Sequence, residues 1–411
     1  MRGSPVYLDH HATTPCDPRV LECMLPFFTE GFGNASSRQH AFGRRAYEAV
    51  AAARRQVASM IGADPEEVVF TSGATEAVNL AIRGVAAMYA SKGRHIVTCA
   101  TEHAAVLDTC KSLERAGCET TLLPVDSAGR VDSEALARAV RDDTILVCLM
   151  SANNETGVMH DLRSVSELCR SKGVLLFTDA TQSAGKIPID VDAPHVDLLC
   201  LSAHKFHGPK GVGALYVRRR DPRVRLVPLL EGGGHEKGLR SGTLNVTGIV
   251  GMGKASEIAV QEMIELSNRI RRLRDEMEGR LLQEGEVFVN GGSADRLPTV
   301  SNLSFRYIEG QALLAAVCTE VAVSTGSACS SASMEPSHVL TAMGLGRDAA
   351  YASLRISLAR TTTEEDVRYA TERILHHLRE LRSSSPIWRY ASEGHLPDPE
   401  TWEHPAAAKP S

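Results

Sequence analysis

Five short segments of this sequence place polar, chemically capable residues directly after an apolar run, the position where a strand ends and a helix begins. The first is VVFTSGATEAVNLAI, which reads as strand, glycine turn and helix. There the amides of Gly73, Ala74 and Thr75 point out of a helix N-terminus, and the Thr75 hydroxyl adds a donor, so the turn can seat a phosphate. Alone, the same pattern is an ordinary helix cap. The second and third segments end at Thr101-Glu102-His103 and Ser151-Ala152-Asn153-Asn154-Glu155. In the fourth, LLFTDATQSAGK, Asp179 follows an apolar strand and needs a positive partner to stay ionised, with Gln182 three residues on. In the fifth, VDLLCLSAHKFHGPKG, Ser202, His204 and Lys205 close a buried strand. A lysine there is costly unless it is paired or carries a carbonyl compound, although one that reaches solvent needs neither. Taken together, an anion seat, a buried aspartate and a strand-end lysine match the phosphate, ring nitrogen and aldehyde of pyridoxal 5'-phosphate.

A sixth feature differs in kind. Thr325-Gly326-Ser327-Ala328-Cys329-Ser330-Ser331-Ala332-Ser333 consists almost wholly of small residues and has no apolar anchor, so a mobile loop is expected. A cysteine on such a loop is exposed and able to ionise. Cys148 and Cys200, inside ILVCLM and VDLLCLS, read instead as core residues.

The elements that must position these groups follow from periodicity. Between Glu67 and Val217 six β-rich runs (VVFTS, HIVTCA, ILVCLMSA, VLLFTDA, DLLCLSA and ALYVR) alternate with helical stretches such as Thr75–Ala90, His103–Ala116, Ser133–Arg141 and Leu162–Lys172. Strands apolar on both faces, alternating with helices, imply an α/β fold with a mainly parallel sheet, whose ligands bind beyond the strand carboxyl ends. After Asn245, an apolar stripe of Leu266, Ile270, Leu273, Met277 and Leu281 marks a long helix leading towards a second domain. That domain reads as a strand over Thr299–Tyr307, a helix over Gly310–Cys318, a strand and loop over Val321–Ser333, a strand over Tyr351–Ser357 and a last helix. Thr362 and Glu365 are spaced as the capping box of that helix, and the tail after Pro397 is expected to pack poorly. In YASLRISLAR, Arg355 alternates with Leu354 and Ile356 and so points off the apolar face, towards solvent or a ligand.

Two glycine patterns mislead. Gly248 to Lys254 has the spacing of a P-loop, but Ala255 replaces the metal-binding hydroxyl and no strand precedes it. Gly208, Gly211 and Gly213 suit a turn between strands. The ten cysteines contain no C-x-x-C, so no metal site is expected. With 43% hydrophobic residues and a net charge of −5 the chain has no global basic field for nucleic acid or anionic lipid. No segment reads as a signal peptide or a membrane span, so a cytoplasmic protein is expected. The run Arg218, Arg219, Arg220, Arg223 and Arg225 reads as a solvated strand end or a docking patch.

In order and spacing, YLDHHATTP, FTSGATEA, TEHAAVLD, NNETGV, DATQSAGK, SAHKFHGPKG, GGGHEKGLRSGT and TGSACSSASMEPSHVL resemble the class V aminotransferase family, specifically its cysteine desulfurases of the housekeeping iron–sulfur-assembly type. The resemblance implies the type I fold of pyridoxal-phosphate enzymes, with a seven-stranded sheet in a large domain over 15–260. A smaller α+β domain over 1–14 and 261–411 would carry the cysteine loop at about 325–335. It implies that Lys205 binds the cofactor aldehyde and serves as base, that Asp179 pairs with the ring nitrogen, that His103 stacks on the ring and helps move protons, and that Gln182 bonds the phenolic oxygen. Ala74, Thr75, Ser202 and His204 would hold the phosphate, with Thr243 supplied by the second subunit of a homodimer. Asn154 and Arg355 would take the carboxylate of L-cysteine, and Cys329 would receive its sulfur for an iron–sulfur scaffold or sulfur-carrier protein. A selenocysteine lyase, an aminotransferase or a silent assembly scaffold are the rival readings. Selenide leaves without a thiol nucleophile, transamination needs a keto acid, and a scaffold needs none of Lys205, Asp179 and Cys329. The pair His10-His11 has no mechanistic reading at this level.

Overall fold

The computed structural model describes residues 5–325, 335–394, 402, 404 and 405. Twelve short strands are present among them: β1 (Val6–Tyr7), β2 (Val68–Thr71), β3 (His95–Cys99), β4 (Glu119–Leu123), β5 (Thr144–Cys148), β6 (Leu175–Asp179), β7 (Leu198–Ser202), β8 (Gly213–Val217), β9 (Val287–Val289), β10 (Val300–Phe305), β11 (Val321–Ala322) and β12 (Ser353–Ser357). Seven form the central sheet in the order β2-β8-β7-β6-β5-β3-β4, with β8 antiparallel to both neighbours and the other pairs parallel. The six apolar runs are its buried strands. The seventh, β4, has no apolar run because it is a half-exposed edge strand paired only with β3.

Register does the positioning. Asp179 pairs with Cys200, Ser202 with Gly213 and Gly213 with Thr71, so the ends of β6, β7 and β2 lie side by side at one edge of the sheet. Gly213 is required there, because a Cβ on it would lie 2.7 Å from the Cα of Gly73. Separate apolar clusters cover the two faces, and Cys148 and Cys200 are core residues as expected.

The 37-residue helix Val246–Leu282 swallows the P-loop-like glycines. A Cβ on Gly253 would meet the Cα of Ala53 at 2.6 Å, so this glycine lets the helix Ala41–Ile61 cross closely. The stripe at the far end of the long helix, from Leu266 to Leu281, joins a third cluster with the antiparallel sheet β9-β10-β12 and the helix Glu364–Ser384.

Four details correct the sequence reading. The capping box sits one residue on, at Thr363 and Asp366, while the Thr362 hydroxyl accepts from the Ala359 amide at 3.0 Å. Tyr351 ends a short helix, Arg347–Tyr351, and the strand begins at Ser353. Arg218 is no solvated strand end: it is buried and donates to the Val196 and Val191 carbonyls and to Asp192. In the tail, Trp402 stacks on His404 at 5.8 Å between ring centroids, and buried His404 bonds Asn290 at 2.8 Å.

Candidate active site

At that sheet edge a cleft of about 380 Å³ opens, lined by residues from every one of the five junctions read from sequence. The first junction supplies the N-terminus of the helix Ala74–Met88, whose N-cap, Gly73, has no capping side chain. Glu76 accepts from the Ser72 amide at 2.8 Å and the Thr71 hydroxyl from the Gly73 amide at 3.4 Å, while Ala74 and Thr75, which open the first turn, line the cleft. Thr75, Ser202 and His204 line the same corner. Burial, then the charge of Lys205, pushes the His204 imidazole down to about 4, so it is neutral at physiological pH. Its Nδ1 lies 3.1 Å from the Thr13 hydroxyl.

His103 is the N-cap of the helix Ala104–Glu114, its Nδ1 accepting from the Ala105 amide at 3.1 Å. A neutral ring therefore carries its proton on Nε2. Asp179 is buried at the end of β6 and accepts from the Thr181 amide at 2.8 Å. Lys205 closes a single 3₁₀ turn after β7 and donates to the His11 and Ala12 carbonyls at 2.6 and 2.8 Å. Gln182 donates to the same His11 carbonyl at 2.9 Å.

Arg355 is 2% exposed and aims into the cleft rather than at water. It pairs with Asp9 at 2.8 Å and donates to the Asn154 carbonyl at 3.3 Å, while its Nε has no partner among the described residues. A buried guanidinium with an unused N–H beside an open cleft is suited to a ligand carboxylate. Thr243 is exposed and does not line this cleft. Cys329 lies outside the described residues. The flanks of its stretch are anchored at the site: Ser324 and Arg355 exchange backbone hydrogen bonds of 3.2 and 2.6 Å, and the Ser337 hydroxyl donates to Glu155 at 2.5 Å.

Three contributors escaped the sequence reading. His11 is buried, bonds Thr299 at 2.9 Å and lends its carbonyl to Lys205 and Gln182. Its HH dipeptide carries no signal because the backbone does the work. Lys186 follows Gln182 by four residues and is buried beneath it. Glu102, next to His103 in sequence, is fully buried, with one oxygen accepting from the Met150 amide and the other without a partner among the described residues. Burial, and then the nearby Asp179 charge, raise the Glu102 carboxyl well above its usual 4.5. A raised carboxyl stabilises the fold fully below that value and progressively less as pH rises towards the folded-state pKa. Glu102→Gln therefore gains thermal stability over the parent as pH rises from 5 to 8, by roughly 2 °C at the upper end. Melting curves at the two pH values check this; a gap that shrinks with pH contradicts it.

Among the described residues one group could gather a metal ion: His376, His377 and Glu380. His377 is already held between Glu320 and Glu380 at 3.0 and 3.3 Å, and none of the three lines the cleft.

A phosphate seat, a buried carboxylate and a strand-end amine around one cleft define a pyridoxal-phosphate enzyme, and the chain belongs to the class-V aminotransferase family, whose model matches residues 6–369. Its similarity to particular members covers nearly its whole length. Cysteine desulfurase IscS of Anaeromyxobacter sp. (strain Fw109-5) is 54% identical over 391 residues, 95% of this chain and 96% of that protein. Cysteine desulfurase IscS of Proteus mirabilis (strain HI4320) is 52% identical over 402 residues, 97% and 99% of the two chains. The solved structure of a NifS-like protein superposes with a TM-score of 0.85 at 40% identity, covering 92% of this chain and 100% of that one.

Proposed function

We propose that this protein is a cysteine desulfurase of the housekeeping iron–sulfur-assembly type, converting L-cysteine to L-alanine and passing the sulfur to Cys329. The convergence of the helix N-terminus at Ala74, the carboxylate of Asp179 and the amine of Lys205 on one cleft carries this reading. The cleft fits pyridoxal 5'-phosphate by its donors: helix amides, Thr75, Ser202 and His204 for the phosphate, Asp179 for the ring nitrogen, Gln182 for the phenolic oxygen and Lys205 for the aldehyde. When bound, the cofactor supplies an aldehyde that captures an amine and a ring that accepts the electron pair left by a departing Cα proton.

The protein's own groups do the rest. Arg355 and Asn154 orient the substrate carboxylate, which turns the Cα–H bond towards Lys205 Nζ. Lys205 takes that proton and can return it, and His103, which also lines the cleft, holds a proton on Nε2. The Cys329 thiolate attacks the substrate sulfur: a sulfur–sulfur bond forms, the carbon–sulfur bond of cysteine breaks, and the carbon takes a proton in place of sulfur. Cysteine and the Cys329 thiol become alanine and the Cys329 persulfide, with no outside oxidant.

Two further parts belong to this proposal. Thr243, exposed on its own chain, reaches the phosphate of a second copy, and the exposed Leu25, Phe28, Phe32 and Ile264 (69%) offer apolar surface for such a homodimer. The persulfide then goes to an iron–sulfur scaffold or a sulfur carrier in the cytoplasm; among the described residues no helix is long and apolar enough to cross a membrane. The test is direct. Purified protein loaded with pyridoxal phosphate and given L-cysteine and a thiol reductant should release alanine and sulfide in equal amounts. Pyruvate without alanine, or turnover only with a keto acid, would overturn the proposal.

A further inference from the structure

We propose that Lys186 is a positioning residue that fixes the side-chain amide of Gln182, so that Gln182 can offer only an N–H to the ligand in the cleft. The inference rests on the cofactor reading above.

The segment Asp179 to Lys186 leaves β6 in successive tight turns, with the Ala184 and Lys186 amides bonded back to Ala180 and Ser183. Gln182 and Lys186 thereby fall four residues apart on one side of a helical turn. Gly185, at φ 71°, brings this turn against the segment that carries Lys205, since a Cβ on it would lie 2.7 Å from the Cβ of Phe206. Lys186 is buried, and its Nζ donates to Gln182 Oε1 at 2.7 Å. At the other end of the same amide, Nε2 donates to the His11 carbonyl at 2.9 Å.

A glutamine amide can sit in either of two orientations, and only its neighbours decide between them. A protonated lysine can only donate and a carbonyl can only accept, so both neighbours impose the same orientation. The second Nε2 hydrogen is left for whatever fills the cleft, and that atom must be an acceptor. For a phenolic oxygen this favours the anion over the hydroxyl. A buried lysine is expensive, and among the described residues the one hydrogen-bond partner of this amine is Gln182, so its placement is most simply explained by what it does to that partner. Burial, followed by the charges of Lys205 and Arg355, lowers its pKa; a neutral amine still donates this hydrogen bond, and the His11 carbonyl, which can only accept, holds the same orientation.

The test is a double-mutant cycle of Lys186→Met, Gln182→Met and the pair. Two quantities are read: the melting temperature of the cofactor-free protein, and the pH midpoint of the visible band after loading with pyridoxal phosphate. Titration of that band also feels Asp179, His103, His11, His204, Lys205 and Arg355, all of which the cycle holds constant. Losing the donor to the phenolic oxygen would make the cofactor's proton harder to remove. Each single variant should therefore raise the midpoint by about one pH unit, and the pair should add little to either. The melting temperatures should be non-additive in the same way. Additive effects on both quantities, or an unmoved midpoint in a folded Lys186→Met protein, would overturn the inference. If the unaltered protein takes up pyridoxal phosphate with no visible band, it is the cofactor reading that fails. Should Lys186→Met not fold, Lys186→Gln, which keeps a donor, should restore both folding and midpoint; a raised midpoint there counts against the orientation argument.

Discussion

Lys205→Ala should yield a folded protein that no longer develops the visible band of covalently held pyridoxal phosphate, with alanine formation from cysteine lowered roughly a thousandfold or more. The size follows from two jobs resting on one atom. Lys205 Nζ is held by the His11 and Ala12 carbonyls at 2.6 and 2.8 Å, inside the cleft that the phosphate seat and Asp179 also line. On the proposed function it would both capture the aldehyde and move the Cα proton. Lys205→Arg retains the charge but has no nucleophilic amine, so it should be as inactive as the alanine variant. The residues that would hold the phosphate are Ala74, Thr75, Ser202 and His204 rather than the Lys205 amine, so the alanine variant should still retain pyridoxal phosphate reversibly, lost on dialysis. Absorption spectra before and after dialysis, with alanine assays, check this; an unchanged band would remove Lys205 from the role assigned to it.

Cys329→Ser has the opposite signature. Its band should be that of the parent, and cysteine should perturb the band, but alanine formation should fall roughly a thousandfold. A serine hydroxyl cannot accept sulfur at neutral pH, whereas the cofactor contacts lie in other elements. The comparison also separates the rival readings. A selenocysteine lyase would keep turnover on selenocysteine in this variant, and an aminotransferase would be indifferent to it. Alanine production by Cys329→Ser at the parent rate with cysteine would exclude the persulfide route.

Much of the fold was legible because the strands of a covered parallel sheet are apolar on both faces. The runs ending at Thr71, Cys148, Asp179 and Ser202 could be read as strands, whereas the chemistry at their ends could be read only from the set, since each end taken singly also fits an ordinary cap or a solvated side chain. What was not legible depends on partners distant in sequence. The edge strand β4 lacks the apolar signature because one side of it meets water. Arg218 looks like a surface cation until the carbonyls of Val191 and Val196 are brought to it by the fold. Arg355 could be placed off the apolar face by alternation, but its burial against Asp9 depends on a residue 346 positions away. His11 contributes through its carbonyl, which no side-chain pattern records. The capping box slipped by one residue because Thr362 and Thr363 are both competent caps, and the Thr362 hydroxyl is engaged with Ala359 instead. For Cys329, which lies outside the described residues, the small neighbours give an expectation of a reactive cysteine, and its place as sulfur acceptor comes from resemblance.

The most direct measurement is the mass of the peptide bearing Cys329 after brief exposure of the loaded protein to L-cysteine, with free thiols then blocked. The predicted result is the addition of one sulfur atom at Cys329, matched by one alanine per site and absent in Lys205→Ala. Alanine released with no sulfur on Cys329, or sulfur distributed over Cys318 and the other thiols in its place, would contradict the account.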